Sequence, residues 1–284
     1  MQRTLHVNAV ELKNVTKLLA GNPVISGLDL ILKTGEATTV IGHNGSGKST
    51  LIKLLAGIFE PTHGVINRMT ARTAYVPESF PEQIRFRLRE YLLLLGKMTG
   101  RHENELIKEI GIYADMFGIT TYLDVPLKQC SKGTKQKAGI IQALLHKPEL
   151  LLLDEPLTGL DPASQNELLN QLIELKQELT IVFTAHELLL VAGLADRVIE
   201  IKQGKIVSDQ SSAKRELYRS IKVTCTELVD FKVIPGVITV HATGNQQFVL
   251  NVQAAKSDDV LKYLLEHQCS ILQVETGNEI ELVS

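Results

Sequence analysis

Ala37-Thr38-Thr39-Val40-Ile41-Gly42-His43-Asn44-Gly45-Ser46-Gly47-Lys48-Ser49-Thr50 is the stretch whose reading decides the architecture. Ala37 to Ile41 is short, apolar and β-branched, as a buried strand is, and it stops at Gly42. From Lys48 to Ile58 the apolar period becomes that of a helix. A strand, a glycine-rich loop and a helix therefore follow one another directly.

In that setting Gly42 to Ser49 satisfies the pattern GxxxxGK[ST]. Glycines let consecutive backbone N–H groups turn inward around phosphate oxygens, and the helix N-terminus adds the positive end of its dipole. Lys48 adds a full charge, the Ser49 hydroxyl is suited to ligate Mg²⁺, and Thr50 lies in reach of an α-phosphate. A plain glycine turn with a solvated lysine would need none of this spacing. Gly42, His43, Asn44, Gly45, Ser46, Gly47, Lys48, Ser49 and Thr50 are thus the expected triphosphate cradle.

Working outward, Leu5 to Leu12 and Leu28 to Leu32 alternate apolar and polar residues like half-buried strands, with turns expected at Asn22-Pro23 and Thr34-Gly35. Downstream, Leu88 to Met98 and Glu103 to Phe117 are helical stretches separated by Thr99-Gly100, so the segment from about 85 to 130 reads as an all-helical insertion. Leu150 to Leu153 and Thr180 to Thr184 read as buried parallel strands flanking a helix from Pro162 to Glu178, a βαβ crossover. A polar stretch around Ser208 to Lys214 reads as a linker. Beyond it come short strands at Ile221 to Cys225, Val237 to His241 and Phe248 to Val252. A helix from Asp258 to His267 follows, with Val260, Leu261, Leu264 and Leu265 on one face, and then strands at Ile271 to Val274 and Ile280 to Val283. The expected organisation is an α/β domain over residues 1–210 and a small α+β domain over residues 215–284.

Composition narrows the function classes. The chain has 284 residues, 44% of them apolar, enough for a well-buried core as a soluble globular protein. Thirty basic against 32 acidic residues give a formal charge of −2, so broad nucleic-acid binding is not expected. Cys130, Cys225 and Cys269 have neither paired nor metal-ligand spacing, and their odd number argues against a disulfide framework and for a reducing cytoplasm. The longest apolar runs, Leu150 to Leu153 and Leu188 to Ala192, fall far short of the roughly 20 residues that span a bilayer, so any membrane role is expected to run through a partner.

The strand Leu150 to Leu153 ends in Asp154-Glu155, which places Asp154 where a carboxylate holds Mg²⁺ beside the phosphate loop and Glu155 where a base can polarise an attacking water. A solvated acidic turn is the alternative, and the glycine loop upstream weighs against it. Ser131-Lys132-Gly133-Thr134-Lys135-Gln136 precedes this strand and Gly159-Leu160-Asp161 follows it. With the loop, these segments resemble the ABC ATPase family over roughly Val10 to Val207.

The resemblance implies a P-loop NTPase fold with an antiparallel β subdomain and a helical insertion. It implies that Cys130 to Thr134 is the signature motif, with Ser131 and Gly133 facing the γ-phosphate held by another subunit, and that Asp161 lies in the D-loop. His186, in Thr184-Ala185-His186-Glu187, matches the switch histidine, so Lys48, Glu155 and His186 form the expected catalytic set. Glu78 stands where the family's Q-loop glutamine senses nucleotide and Mg²⁺. Cys130 and Lys132 replace the usual leucine and glycine, and Leu19 stands near where an aromatic usually stacks on adenine.

The resemblance further implies ATP and Mg²⁺ as cofactors, a homodimer or paired ATPase subunit, and a separate transmembrane permease subunit, with the chain peripheral on the cytoplasmic face of the membrane. Bacterial exporters are the nearest type. A non-transport ABC ATPase acting on ribosomes or DNA is the rival class, opposed by a single phosphate loop and the lack of a long heptad run. A low-turnover nucleotide-binding scaffold is a third, opposed by the intact Lys48, Asp154, Glu155 and His186.

Overall fold

A computed structural model describes residues 8–81, 84–185, 191, 193–211, 218–225, 231, 234–244, 246–253 and 256–276. The chain divides into two compact units, Met1–Ser212 and Ala213–Ser284.

The first unit begins with β1 (Asn8–Leu19), which pairs antiparallel with β2 (Asn22–Lys33) and β4 (His63–Arg68) in the order β2-β1-β4. The hairpin between β1 and β2 turns on Ala20 (φ 48°) and Gly21 (φ 82°), the pair of positive φ values that matches strand twist in a two-residue turn. Asn22 and Pro23, expected as the turn, are instead paired with Leu19 and Leu18. A tight hairpin needs only two residues, and the Gly21 signal outweighs the Asn-Pro one.

Six further strands form the second sheet, in the order β5 (Thr73–Val76), β6 (Leu150–Leu153), β7 (Thr180–Thr184), β3 (Ala37–Ile41), β8 (Arg197–Lys202) and β9 (Lys205–Ser211). All pairings are parallel except that of β8 with β9. Helix α1 (Lys48–Leu55) packs on one face: Leu150 and Leu152 share a core with Leu51, Ile52, Leu54 and Leu55 and with the antiparallel sheet. Leu151 and Leu153 face the opposite core, among the helices. Covering both faces explains why β6 reads as four consecutive leucines rather than an alternation. Each fully buried leucine contributes about 1.5–3 kcal/mol relative to exposure.

The helical side comprises α2 (Leu88–Lys97), α3 (Glu103–Met116), two short 3₁₀ turns, α4 (Lys132–Leu145) and α5 (Pro162–Lys176). The Glu90 carboxylate accepts the Arg87 N–H at 2.9 Å and opens α2. Gly96 lets α2 approach α3, since a Cβ there would lie 2.9 Å from Leu106. Tyr91 Oη donates to Gln142 at 2.8 Å and ties α2 to α4.

Among the described residues the second unit is a four-stranded antiparallel sheet, β11 (Val237–Gly244), β12 (Gln247–Gln253), β10 (Tyr218–Cys225), β13 (Cys269–Thr276), with one α-helix, α6 (Ser257–Glu266). Val260 and Leu264 are fully buried among Ile221, Val223, Leu250 and Val252, but Leu265 is 61% exposed, so the expected four-residue apolar face splits. Cys225 and Cys269 are disulfide-bonded, which corrects the expectation of unpaired thiols. They lie 44 apart in sequence yet directly opposite on β10 and β13, a neighbourhood that local spacing does not reveal. Cys130 is free and buried. Ser208 to Ser211, expected as linker, pairs with β8; residues 212–214, the strand at Ile280 to Val283, Leu5 to Val7 and most of the run Leu188 to Ala192 lie outside the described residues.

Candidate functional site

The ends of β3, β5, β6 and β7 converge on the first turn of α1. Gly42, Gly45 and Gly47 have φ of 152°, 78° and 110°, conformations open mainly to glycine. A Cβ at Gly42 would overlap the Ile201 carbonyl oxygen, and one at Gly47 would lie 2.9 Å from both the Val24 carbonyl oxygen and Ile25 Cδ1. The loop is therefore wedged between β8 and β2. His43, Asn44 and Gly45 are exposed, whereas Ser46, Gly47 and Lys48 are buried, and Ser49 and Thr50 are half-buried. The Ser46 hydroxyl, buried within this turn, has no hydrogen-bond partner among the described residues.

Lys48 Nζ donates to the carbonyls of Gly42 (3.0 Å) and His43 (3.4 Å) and stands 4.0 Å from the Glu155 carboxylate. Burial lowers its pKa; the negative charges of Glu155, Asp154 and Glu78 oppose that shift. The ammonium is thus folded over the loop, in the concavity that β- and γ-phosphates would fill.

Asp154 closes β6 at 3% exposure. Its Oδ1 accepts the hydroxyls of Ser49 at 3.1 Å and Thr184 at 2.8 Å, and Tyr75 Oη stands 3.5 Å from its Oδ2. Burial, then the charge of Asp154, pushes the Tyr75 pKa up, so the phenol stays protonated and can donate. Glu155 follows with φ 47°, a left-handed backbone that disfavours residues with a Cβ. Its N–H donates to Thr184 Oγ1 at 2.8 Å, and Thr158 Oγ1 donates to its Oε2 at 3.1 Å. Ser49 and Asp154 present only oxygen, as a hard divalent cation requires. Among the described residues no group of three or more His, Cys, Asp and Glu side chains could cage a metal alone. Mg²⁺ fits as an ion shared with phosphate oxygens.

A second cluster lies at the N-termini of α4 and α5. Ser131 caps α4, accepting the Thr134 N–H at 3.1 Å, and Asp161 caps α5, accepting the Ser164 N–H at 3.0 Å and its hydroxyl at 2.7 Å. Gly133 lies against Leu160 and Ser164, each 3.7 Å from where its Cβ would be, and a Cβ on Gly159 would sit 2.5 Å from Lys132 Nζ. The residues expected to form the signature and the D-loop are therefore side by side within one chain, with Ser131, Lys132 and Asp161 exposed.

Residues 25–158 match the ABC transporter family. Over 209 residues the chain is 32% identical to the ABC transporter ATP-binding protein NatA of Bacillus subtilis, covering 70% of this chain and 84% of that one. The chain belongs to the ABC transporter ATP-binding proteins. It is accordingly an ATP-binding ATPase subunit of a transporter. An uncharacterised ABC transporter ATP-binding protein of B. subtilis, YhaQ, is 29% identical over 95% of this chain and 84% of its own length. Other family members are named for Nod factor export in Sinorhizobium fredii (34% identical, 72% of this chain and 64% of that one) and for zinc import in Alkalilimnicola ehrlichii (30%, 70% and 76%). Among solved structures, CbiO1 of Clostridium perfringens, part of the ABC transporter complex CbiONQ, superposes with a TM-score of 0.66 at 25% identity, over 74% of this chain and 90% of that one.

Within this ABC ATPase, Lys48, Ser49, Asp154 and Glu155 are brought together, and Glu78 is exposed but close enough for its charge to act on Lys48 and Tyr75. Leu19 ends β1 at 37% exposure, at the hairpin whose β2 strand touches the loop. His186 lies outside the described residues. Sequence reasoning did not single out Tyr75, Thr158 or Thr184 as site residues. Their one signal is position: Tyr75 and Thr184 are polar residues at or near the end of a strand, and Thr158 lies in the turn just after Glu155.

Proposed function

We propose that this ATPase works as a dimer with Mg²⁺, docked on a separate transmembrane subunit at the cytoplasmic face of the membrane, and energises export. The observation that carries the reading is the contact chain Lys48, Ser49, Asp154 and Glu155, which puts a cation, a hydroxyl and two carboxylates around the mouth of one glycine loop. In this reading Lys48 and the loop N–H groups bind the β- and γ-phosphates, and Glu155 accepts a proton from the attacking water. Ser49 and Asp154 hold Mg²⁺, which when bound neutralises charge on the phosphates. Exposed Ser131 and half-buried Gly133 are available to a nucleotide on a second copy.

Among the described residues no helix is long and apolar enough to cross a membrane. Export is supported by the resemblance in the helical segment and signature and by the relative named for Nod factor export. The first test is light scattering of Glu155→Gln with and without ATP and Mg²⁺. A nucleotide-dependent doubling of mass is expected; a monomer with confirmed ATP binding would overturn dimerisation by the ATPase alone. Direction is tested with the co-purified membrane complex in inside-out vesicles, where ATP-driven uptake of amphipathic probes is expected and uptake only in right-side-out vesicles points to import.

A further inference from the structure

The Thr184 side chain is fully buried at the end of β7, directly after the apolar Ile181, Val182 and Phe183. A valine of the same shape would satisfy packing there, and burying a hydroxyl is unfavourable unless it is hydrogen-bonded. Both bonds of this hydroxyl go to the site. It donates to Asp154 Oδ1 at 2.8 Å and accepts the Glu155 N–H at 2.8 Å. One hydroxyl offers one donor and two acceptor positions, so this arrangement uses its donor on one functional residue and an acceptor on the next.

From this geometry we infer that Thr184 is a positioning residue for ATP hydrolysis. It fixes the rotation of the Asp154 carboxylate and holds Glu155 in its left-handed backbone, so that the metal-side oxygen and the base keep one mutual geometry. Three observations converge on that role. Ser49, from the first turn of α1, donates to the same Oδ1, so the carboxylate is pinned from the loop side and the β7 side at once. Glu155 has φ 47°, a conformation that surrounding contacts must hold, and its N–H is one handle through which they can. β6 and β7 are direct neighbours, with Leu153 opposite Phe183, so the strand that carries the hydroxyl is rigidly in register with the one that carries both carboxylates. Hydrogen bonds to ligating carboxylates orient them, and their removal typically lowers metal affinity or activity about 10- to 100-fold.

The inference rests on Asp154 as the metal-side carboxylate and Glu155 as the base, and the test separates the two. Affinity for the non-hydrolysable analogue AMP-PNP is measured by calorimetry in Mg²⁺ and in EDTA, alongside ATPase turnover. Thr184→Val is expected to cut the Mg²⁺-dependent gain in affinity about tenfold and turnover about 10- to 100-fold, with affinity in EDTA unchanged within about twofold. Thr184→Ser, which keeps the hydroxyl, is expected to restore both. A folded Thr184→Val protein with the parent's Mg²⁺ gain and turnover overturns the inference, as does a folded Thr184→Ser protein as impaired as valine. If circular dichroism shows that valine does not fold, the serine variant and Thr184→Ala decide by the same criteria. Asp154→Asn is the control for the underlying reading. If it keeps the Mg²⁺ gain, the metal-site reading itself fails; if it loses the gain while Thr184→Val keeps it, only the role of Thr184 fails.

Discussion

The glycine-loop side of the site and the signature side are built on opposite principles. On the loop side Ser46, Lys48 and Asp154 are each under 10% exposed, and carbonyls, hydroxyls and opposite charges hold Lys48 and Asp154 before any nucleotide arrives. On the signature side Ser131, Lys132 and Asp161 are exposed, and the two capping side chains are occupied with their own helices. The loop side is preorganised within one chain, as electrostatic binding of a triphosphate demands. Residues on the signature side satisfy local backbone and leave polar surface outward, the form suited to meeting a nucleotide presented by another surface. The difference predicts which substitutions act within a single chain and which act only when two chains meet.

The largest expected effect belongs to Glu155. Removing a general base typically costs about 10²- to 10⁴-fold in rate, so Glu155→Gln should depress phosphate release by that order while ATP affinity stays near the parent value. Undiminished turnover would exclude it as the base. Next is Lys48→Ala, which in the proposed reading removes a charge-assisted contact to the β- and γ-phosphates and should weaken ATP binding on the order of 100-fold in fluorescent-nucleotide titrations. Wild-type affinity would break the comparison at its preorganised side. The signature side should respond differently. Ser131→Ala, in a Glu155→Gln background, should lower stability by about 1 kcal/mol through the lost cap and leave ATP binding to the monomer intact, yet abolish the ATP-dependent mass shift. Loss of monomer binding instead would show that the two sides are not separable.

The same contrast governs what could be read from the sequence. Ala37 to Ile41, Leu150 to Leu153 and Thr180 to Thr184 were legible to the residue, because strands covered on both faces are apolar or β-branched without alternation, and the first two end where the loop glycine and the carboxylates begin. The phosphate loop was legible because its function is carried by consecutive residues. Pairings between distant residues were not legible. Tyr75 and Thr184 meet Asp154 only because β5 and β7 flank β6, and Cys225 meets Cys269 only because β13 returns beside β10. Strand β9 was hidden for a related reason: Lys205 to Ser211 is exposed or half-buried along its length, so its composition resembles a linker.

The smallest expected effect sharpens the exposed side. Asp161 accepts both the hydroxyl and the N–H of Ser164, and the hydroxyl bond first, then the N–H, holds its carboxyl below the usual carboxylate range. A depressed folded-state pKa means that this contribution to stability is complete above the unfolded value, about 3.9 for Asp, and is lost as pH falls through the folded one. Asp161→Asn retains a capping oxygen but cannot titrate, and it gives up the interaction of a negative charge with the helix N-terminus. Its urea midpoint should therefore lie slightly below that of the parent at neutral pH, and the gap should narrow once pH falls below the unfolded value and close as it passes through the depressed folded one, where the parent carboxyl becomes protonated too. ATP affinity of the monomer should not change, since the cap acts on α5 and not on the loop. A gap that stays constant over the whole range would mean that the carboxylate charge plays no part in the cap, leaving shape and hydrogen bonding alone to order the D-loop.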